Sequence, residues 1–134
     1  MADQKSERLR AHPAERFAEP QRLFDLQAVA EKLKHEPEAG EAGRRQETLY
    51  RHGRMSVALF VFDRLTRLAQ HRAGGVVQIQ VLKGHLRVTA DGTPHDLPAG
   101  SLLVLAAGVE HDVVAQQESH MLLTIHLDAV APTK

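Results

Sequence analysis

Val76-Val77-Gln78-Ile79-Gln80-Val81-Leu82, then Lys83-Gly84, Leu86-Arg87-Val88-Thr89, Asp91-Gly92 and Leu102-Leu103-Val104-Leu105, form the stretch whose reading decides the fold. The apolar runs are short and rich in β-branched residues. Lys83-Gly84 and Asp91-Gly92 suit tight hairpin turns, so the runs read as strands and not as helices. Side chains alternate across a strand, which puts Val77, Ile79 and Val81 on one face and Gln78 and Gln80 on the other. The first face is an apolar row. His71 and His111 bracket the stretch, each where polar or small residues give way to β-type sequence.

The same rhythm extends in both directions. Gln46 to Arg51 and Met55 to Phe62 are strands across a His52-Gly53-Arg54 turn, and Leu65 to Ala69 follows. Downstream, Asp112 to Ala115 and Met121 to Leu127 flank Gln116-Gln117-Glu118-Ser119. Turn residues recurring at roughly 8–12-residue spacing favour an all-β sandwich, jelly roll or barrel of about eight strands. One helix precedes them: Leu26, Val29, Ala30 and Leu33 share a helical face, Asp25 stands at the capping position, and Pro37 and Gly40 are placed to end it. The chain therefore divides into a flexible arm (1–21), a short helix with its linker (22–43) and a β-domain (44–130). Met55 to Phe62 is apolar on both faces, which points to a cover on each side of that strand and to a homodimer.

The totals exclude several classes. A chain of 134 residues with 43% apolar content fits one domain with a genuine core. Its 17 basic and 17 acidic side chains balance, so neither nucleic acid nor an anionic membrane surface is an expected partner. Without cysteine there is no disulfide, thiolate metal site or thiol nucleophile. The first residues do not resemble a signal peptide, and no apolar run reaches membrane-spanning length, so a cytoplasmic protein is expected.

From about Thr48 to Leu127 the sequence resembles a single-domain member of the cupin superfamily, whose fold is a double-stranded β-helix jelly-roll barrel. The family's second motif, G-x5-P-x-G-x2-H-x3-N, is matched by Gly100-Ser101-Leu102-Leu103-Val104-Leu105-Ala106-Ala107-Gly108-Val109-Glu110-His111, with Ala106 for the proline and Ala115 for the asparagine. Gly92 to Gly100 resembles the turn and short strand that lead into it. The first motif, G-x5-H-x-H-x3-4-E-x6-G, counted back from Gly84, puts its glutamate at Val77 and its histidines at Ala73 and His71. In metal-binding cupins these three join the second-motif histidine around one divalent ion, so the resemblance implies a metal site reduced to His71 and His111.

Two neutral imidazoles without a carboxylate leave most coordination positions of a first-row metal to water. The expected pocket is therefore lined by His71, His111, Val77, Ile79 and Val81, and no cofactor is required. If Fe, Mn, Ni or Zn binds, His71 and His111 are its ligands, with His126 as a third nitrogen should the His120/His126 face of its strand point inward. Arg44, Arg45 and Arg87 are candidate carboxylate forks. The expected function is binding or sensing of a small molecule, metal-free or weakly metal-assisted. The alternatives are a metal-dependent dioxygenase or isomerase with an unorthodox ligand set, a metal-free isomerase or lyase using the two histidines as acid and base, and an interaction module.

Overall fold

The computed structural model describes residues 20–36 and 43–127. The expected arm, apart from Pro20 and Gln21, and most of the expected linker lie outside the described residues. Helix α1 spans Leu26–Lys34, and nine strands follow: β1 (Arg44–His52), β2 (Met55–Phe62), β3 (Arg67–His71), β4 (Val76–Lys83), β5 (His85–Ala90), β6 (Thr93–Pro98), β7 (Leu102–Leu105), β8 (His111–Ala115) and β9 (Ser119–His126). They form two antiparallel sheets, β1-β2-β9-β4-β7 and β3-β8-β5-β6. This is the jelly-roll architecture the sequence predicts.

The core lies between the sheets. Phe60 and Phe62 of β2, Val77, Ile79 and Val81 of β4, and Met121 of β9 meet Leu86, Val88, Val113 and Ala115 of the opposite sheet. The apolar row of β4 is thus an inward row. Alternation sends Leu59 and Val61 of β2 to the outer face, where they pack with Leu49, Ala30 and Leu33. Helix α1 is the cover on that side. Asp25 caps it by accepting the Ala28 N–H at 3.2 Å, and Lys32 and Lys34 in its last turn oppose the negative end of the helix dipole. The second apolar face of β2, taken in the sequence as a sign of a dimer partner, is therefore buried within the chain.

Two strands differ from the sequence expectation. β6, with Pro94, Asp96 and Pro98, was expected only as a short lead-in, yet it pairs along its length with β5. It is the last strand of its sheet, and an edge tolerates residues that cannot donate to a ladder. β3 begins at Arg67, two residues after the expected start, because Leu65 adopts a left-handed conformation (φ 68°) and donates its N–H to the Ala115 carbonyl at 2.8 Å. Counting six positions back from His71 places the cupin motif's first glycine at residue 65. A glycine position is filled here by a leucine that is 60% exposed. Leu65→Gly should relieve the left-handed penalty and raise stability by about 1 kcal/mol, read as a higher denaturation midpoint with an unchanged slope.

Candidate functional site

One end of the barrel gathers part of the residues singled out in the sequence. Strand register pairs His111 with His71 on one side and with Ala90 on the other. At the same end Val77 is opposite Leu105 and Ile125. The Gly108 N–H donates to the Ala73 carbonyl at 3.0 Å, which ties the 106–110 loop to the segment after β3. Of the four positions that hold ligands in metal-binding cupins, 71 and 111 are paired in register, 73 is tied to the loop before His111, and 77 stands opposite Leu105, the last residue of the strand that leads into that loop. The side chain of His71 lies outside what the structure describes.

The loop before His111 is clamped from both flanks. Arg72 donates from Nη1 to the Gly108 carbonyl at 3.0 Å and from Nη2 to Glu110 Oε1 at 3.1 Å. On the other flank, Asp91 Oδ1 accepts the Glu110 N–H at 3.1 Å, and the Asp91 N–H donates to the Glu110 carbonyl at 2.8 Å. In the sequence Asp91-Gly92 reads as a turn, and Arg72 carries no signal of its own. An aspartate opening a turn is a cue that its carboxylate can also cap a neighbouring backbone, whereas nothing local marks Arg72 as the partner of a loop more than thirty residues on.

His111 itself is only 2% exposed and shares the inward face of β8 with Val113 and Ala115. Its Nδ1 lies 3.0 Å from the Val109 carbonyl. A carbonyl only accepts, so Nδ1 carries the proton and, in the neutral ring, Nε2 is the acceptor. That tautomer suits a ligand hydroxyl or a metal equally well. The neighbouring positions do not: Val77 is 2% exposed within the apolar core, and Ala73 packs against it. Neither carries a donor, so the residues fit a resident divalent ion poorly. Among the described residues no group of three or more His, Asp or Glu side chains could hold a metal.

The remaining candidates separate. Ile79 and Val81 lie progressively deeper along β4, about 7 and 13 Å from Val77 at the usual strand rise, and both are closed inside the core. Only Val77 of the three stands beside the histidine end. β9 turns Met121, Leu123 and Ile125 toward the core, so His126, of opposite parity, falls on the outward face with His120. Arg87 forms a two-pronged pair with Asp96, at 3.1 and 3.3 Å, on the exposed face of the smaller sheet. Hydrogen bonding to Arg87 holds the Asp96 carboxyl below its ordinary range. Arg45 reaches the Glu36 carbonyl at 3.3 Å and Asp63 at 3.9 Å. These two guanidinium groups are engaged by the chain itself, and Arg44 sits in β1 opposite Phe62, on the outer part of the larger sheet.

Two facing antiparallel sheets, an apolar interior and a buried, inward-facing His111 at one end define a cupin-type barrel. The family described as AraC-like ligand binding domain matches residues 58–130, more than half of the chain, and the chain belongs to that family. Among solved structures, it is similar to a cupin superfamily protein from Desulfitobacterium hafniense, at 18% identity and a TM-score of 0.66 over 84% of this chain and 96% of that one. It is also similar to a conserved protein of unknown function from Streptococcus pyogenes, at 21% identity and 0.65 over 87% and 92%. A salicylate 1,2-dioxygenase from Pseudaminobacter salicylatoxidans shares the fold at 13% identity and 0.66, covering 87% of this chain and 42% of the enzyme. No curated protein matches the chain. No helix among the described residues is long and apolar enough to cross a membrane.

Proposed function

We propose that this barrel binds a small polar or aromatic molecule at the His71/His111 end and acts as a cytoplasmic sensing or carrier domain, without a required metal. The observation that carries the reading is Val77: the position where a metal-binding cupin places its carboxylate is a valine in the apolar row, 2% exposed. An apolar wall with a few convergent polar groups is the usual make-up of a small-molecule pocket. His111 supplies the polar group, in a defined tautomer and next to a clamped loop. Membership of a ligand-binding family supports the same reading.

Elemental analysis of the purified protein, followed by thermal-shift titration with monosaccharides, aromatic carboxylates, Mn, Fe, Ni and Zn, tests it. The expected result is substoichiometric metal and stabilisation by an organic compound. His111→Asn, which keeps an N–H for the Val109 carbonyl, should weaken that compound's binding at least about tenfold, as loss of a hydrogen bond to a buried polar group does. One equivalent of tightly held metal would instead favour the dioxygenase or isomerase alternative. A homodimer stays within the proposal on a new ground: Leu102 and Val104, 57% and 54% exposed, stand on the edge strand β7. Light scattering reads the molar mass, and a monomer at high concentration removes that part.

A further inference from the structure

Where α1 meets the larger sheet, three elements bring ionisable groups together, with the His120 side chain nearly closed to water and those of Lys34 and Glu118 partly exposed. Lys34 of α1 pairs with Glu118, in the turn before β9, at 3.2 Å. His120 of β9 has a side chain only 9% exposed, and its Nε2 is 4.0 Å from Glu118 Oε2, too far for a hydrogen bond. Both atoms are closed to water, and His120 Nε2 has no hydrogen-bond partner. Beside them a cavity of about 400 Å³ is lined by Leu26, Gln27 and Glu31 of α1 and by Leu82, Lys83 and His120 of the sheet. Below α1 lies the apolar patch of Leu49, Leu59 and Val61.

We infer that α1 is a strap that a proton on His120 loosens: the Lys34–Glu118 pair holds the helix down while His120 is neutral, and imidazolium at this seam weakens the hold. The electrostatics follow from the groups facing His120 on every element. Lys83 on β4 and Lys34 on α1 oppose a further positive charge, and Glu118 and Glu31 favour it. Burial weighs first and Lys83 second, so its pKa lies below the ordinary 6.5. Glu118 is itself pushed up by burial, but the Lys34 contact and the charges of Lys34 and Lys83 outweigh this and keep it ionised. A protonated His120 would draw the Glu118 carboxylate away from Lys34, so that Lys34, Lys83 and His120 compete for it while Glu31 offsets only part of the added charge.

The sign of the pH dependence is fixed by the direction of the shift. A histidine whose folded pKa is depressed contributes docking stability that is complete above about pH 6.5 and is lost as the pH falls through the lower, folded value. His35, the C-cap residue of α1, makes an exposed contact with Glu31 at 3.1 Å. Release of α1 uncovers the outer faces of β2 and β9, whose inner faces build the barrel. The device thus links acidification to exposure of an apolar sheet surface.

Amide hydrogen exchange of the full chain at pH 7.5 and 5.5, corrected for intrinsic rates, tests this. The helix amides from Val29 to Lys34 should open at least about fivefold more readily at pH 5.5, the lower end of ordinary couplings between sites, while β4 and β5 stay protected. His120→Gln should abolish the pH dependence. Glu118→Gln should open α1 at pH 7.5 already and leave little further change on acidification. Equal protection of α1 at both pH values, tighter protection at pH 5.5, or an undiminished pH response in His120→Gln would each overturn the inference. The metal and ligand measurements at the His111 end are unaffected by any of these outcomes.

Discussion

Val77→Glu is expected to lower the melting temperature by about 15 °C at pH 7.5, the equivalent of roughly 4 kcal/mol for a domain of this size. The substitution restores the cupin motif on paper but puts a carboxyl in the apolar core opposite Leu105 and Ile125, with no Lys or Arg among the described core residues to pair with it. An unpaired buried carboxylate either remains ionised at high cost or takes up a proton. Its folded pKa is therefore raised. The penalty should be small near pH 4, below the unfolded value, and should grow as the pH rises toward the folded one. Adding Ala73→His should leave the destabilisation in place without metal and let Mn or Ni reverse much of it, since four donors then converge. Thermal unfolding at two pH values, with and without the ion, reads all three expectations. A Val77→Glu protein as stable at pH 7.5 as the parent would mean that water already reaches position 77.

Gly84→Ala should cost about 3 kcal/mol or more, whereas Gly92→Ala should cost only about 1 kcal/mol, although both glycines have positive φ, 88° and 83°. The difference is space. A Cβ at Gly92 meets nothing within 4 Å, while one at Gly84 runs into the Glu118 carbonyl and the Ser119 hydroxyl. Ser119 cannot easily yield: it is fully buried, its Oγ accepts the His85 N–H at 3.0 Å, and its hydroxyl lies 2.7 Å from the Gln117 carbonyl to which it donates. Moving it would orphan a strand N–H as well as shift the start of β9. Urea unfolding of the two variants side by side gives the comparison, and equal midpoints would contradict the crowding argument. Position 84 is also the last glycine of the first cupin motif, so its requirement is steric as well as conformational.

Much of the fold could be read from residue order alone. The alternation in Val76 to Leu82, the glycine turns after it and the motif spacing from Gly100 to His111 each depend on local geometry, and each appears where expected. Helix α1 and its Asp25 cap were equally local. β6 is hard to read in the sequence because its prolines argue against a strand unless the strand is known to be at an edge. Edge position is a property of the sheet, and no sequence window contains it. Met55 to Phe62 shows the same limit from the other side: two apolar faces demand two covers, but the pattern cannot say whether the second is another copy or the chain's own helix.

The candidate site divides along the same line. Sequence alone determined the type of barrel and the bare donor set, because counting from Gly84 and Gly108 puts an alanine and a valine where cupin ligands stand, and side-chain chemistry is fixed once the residue is named. Only tertiary structure decided which histidine of the two strands faces the core. His111 faces the core and holds its Nδ1 proton against Val109, whereas His120 and His126 lie on the other face of β9, a matter of one-residue parity that the sequence left open. Tertiary structure alone also brought Lys34, Glu118 and His120 together, since electrostatic effects act through space and those residues approach one another only when α1 lies on the sheet. Strand patterning is a short-range property of the chain, and burial and charge pairing arise only when its distant parts meet.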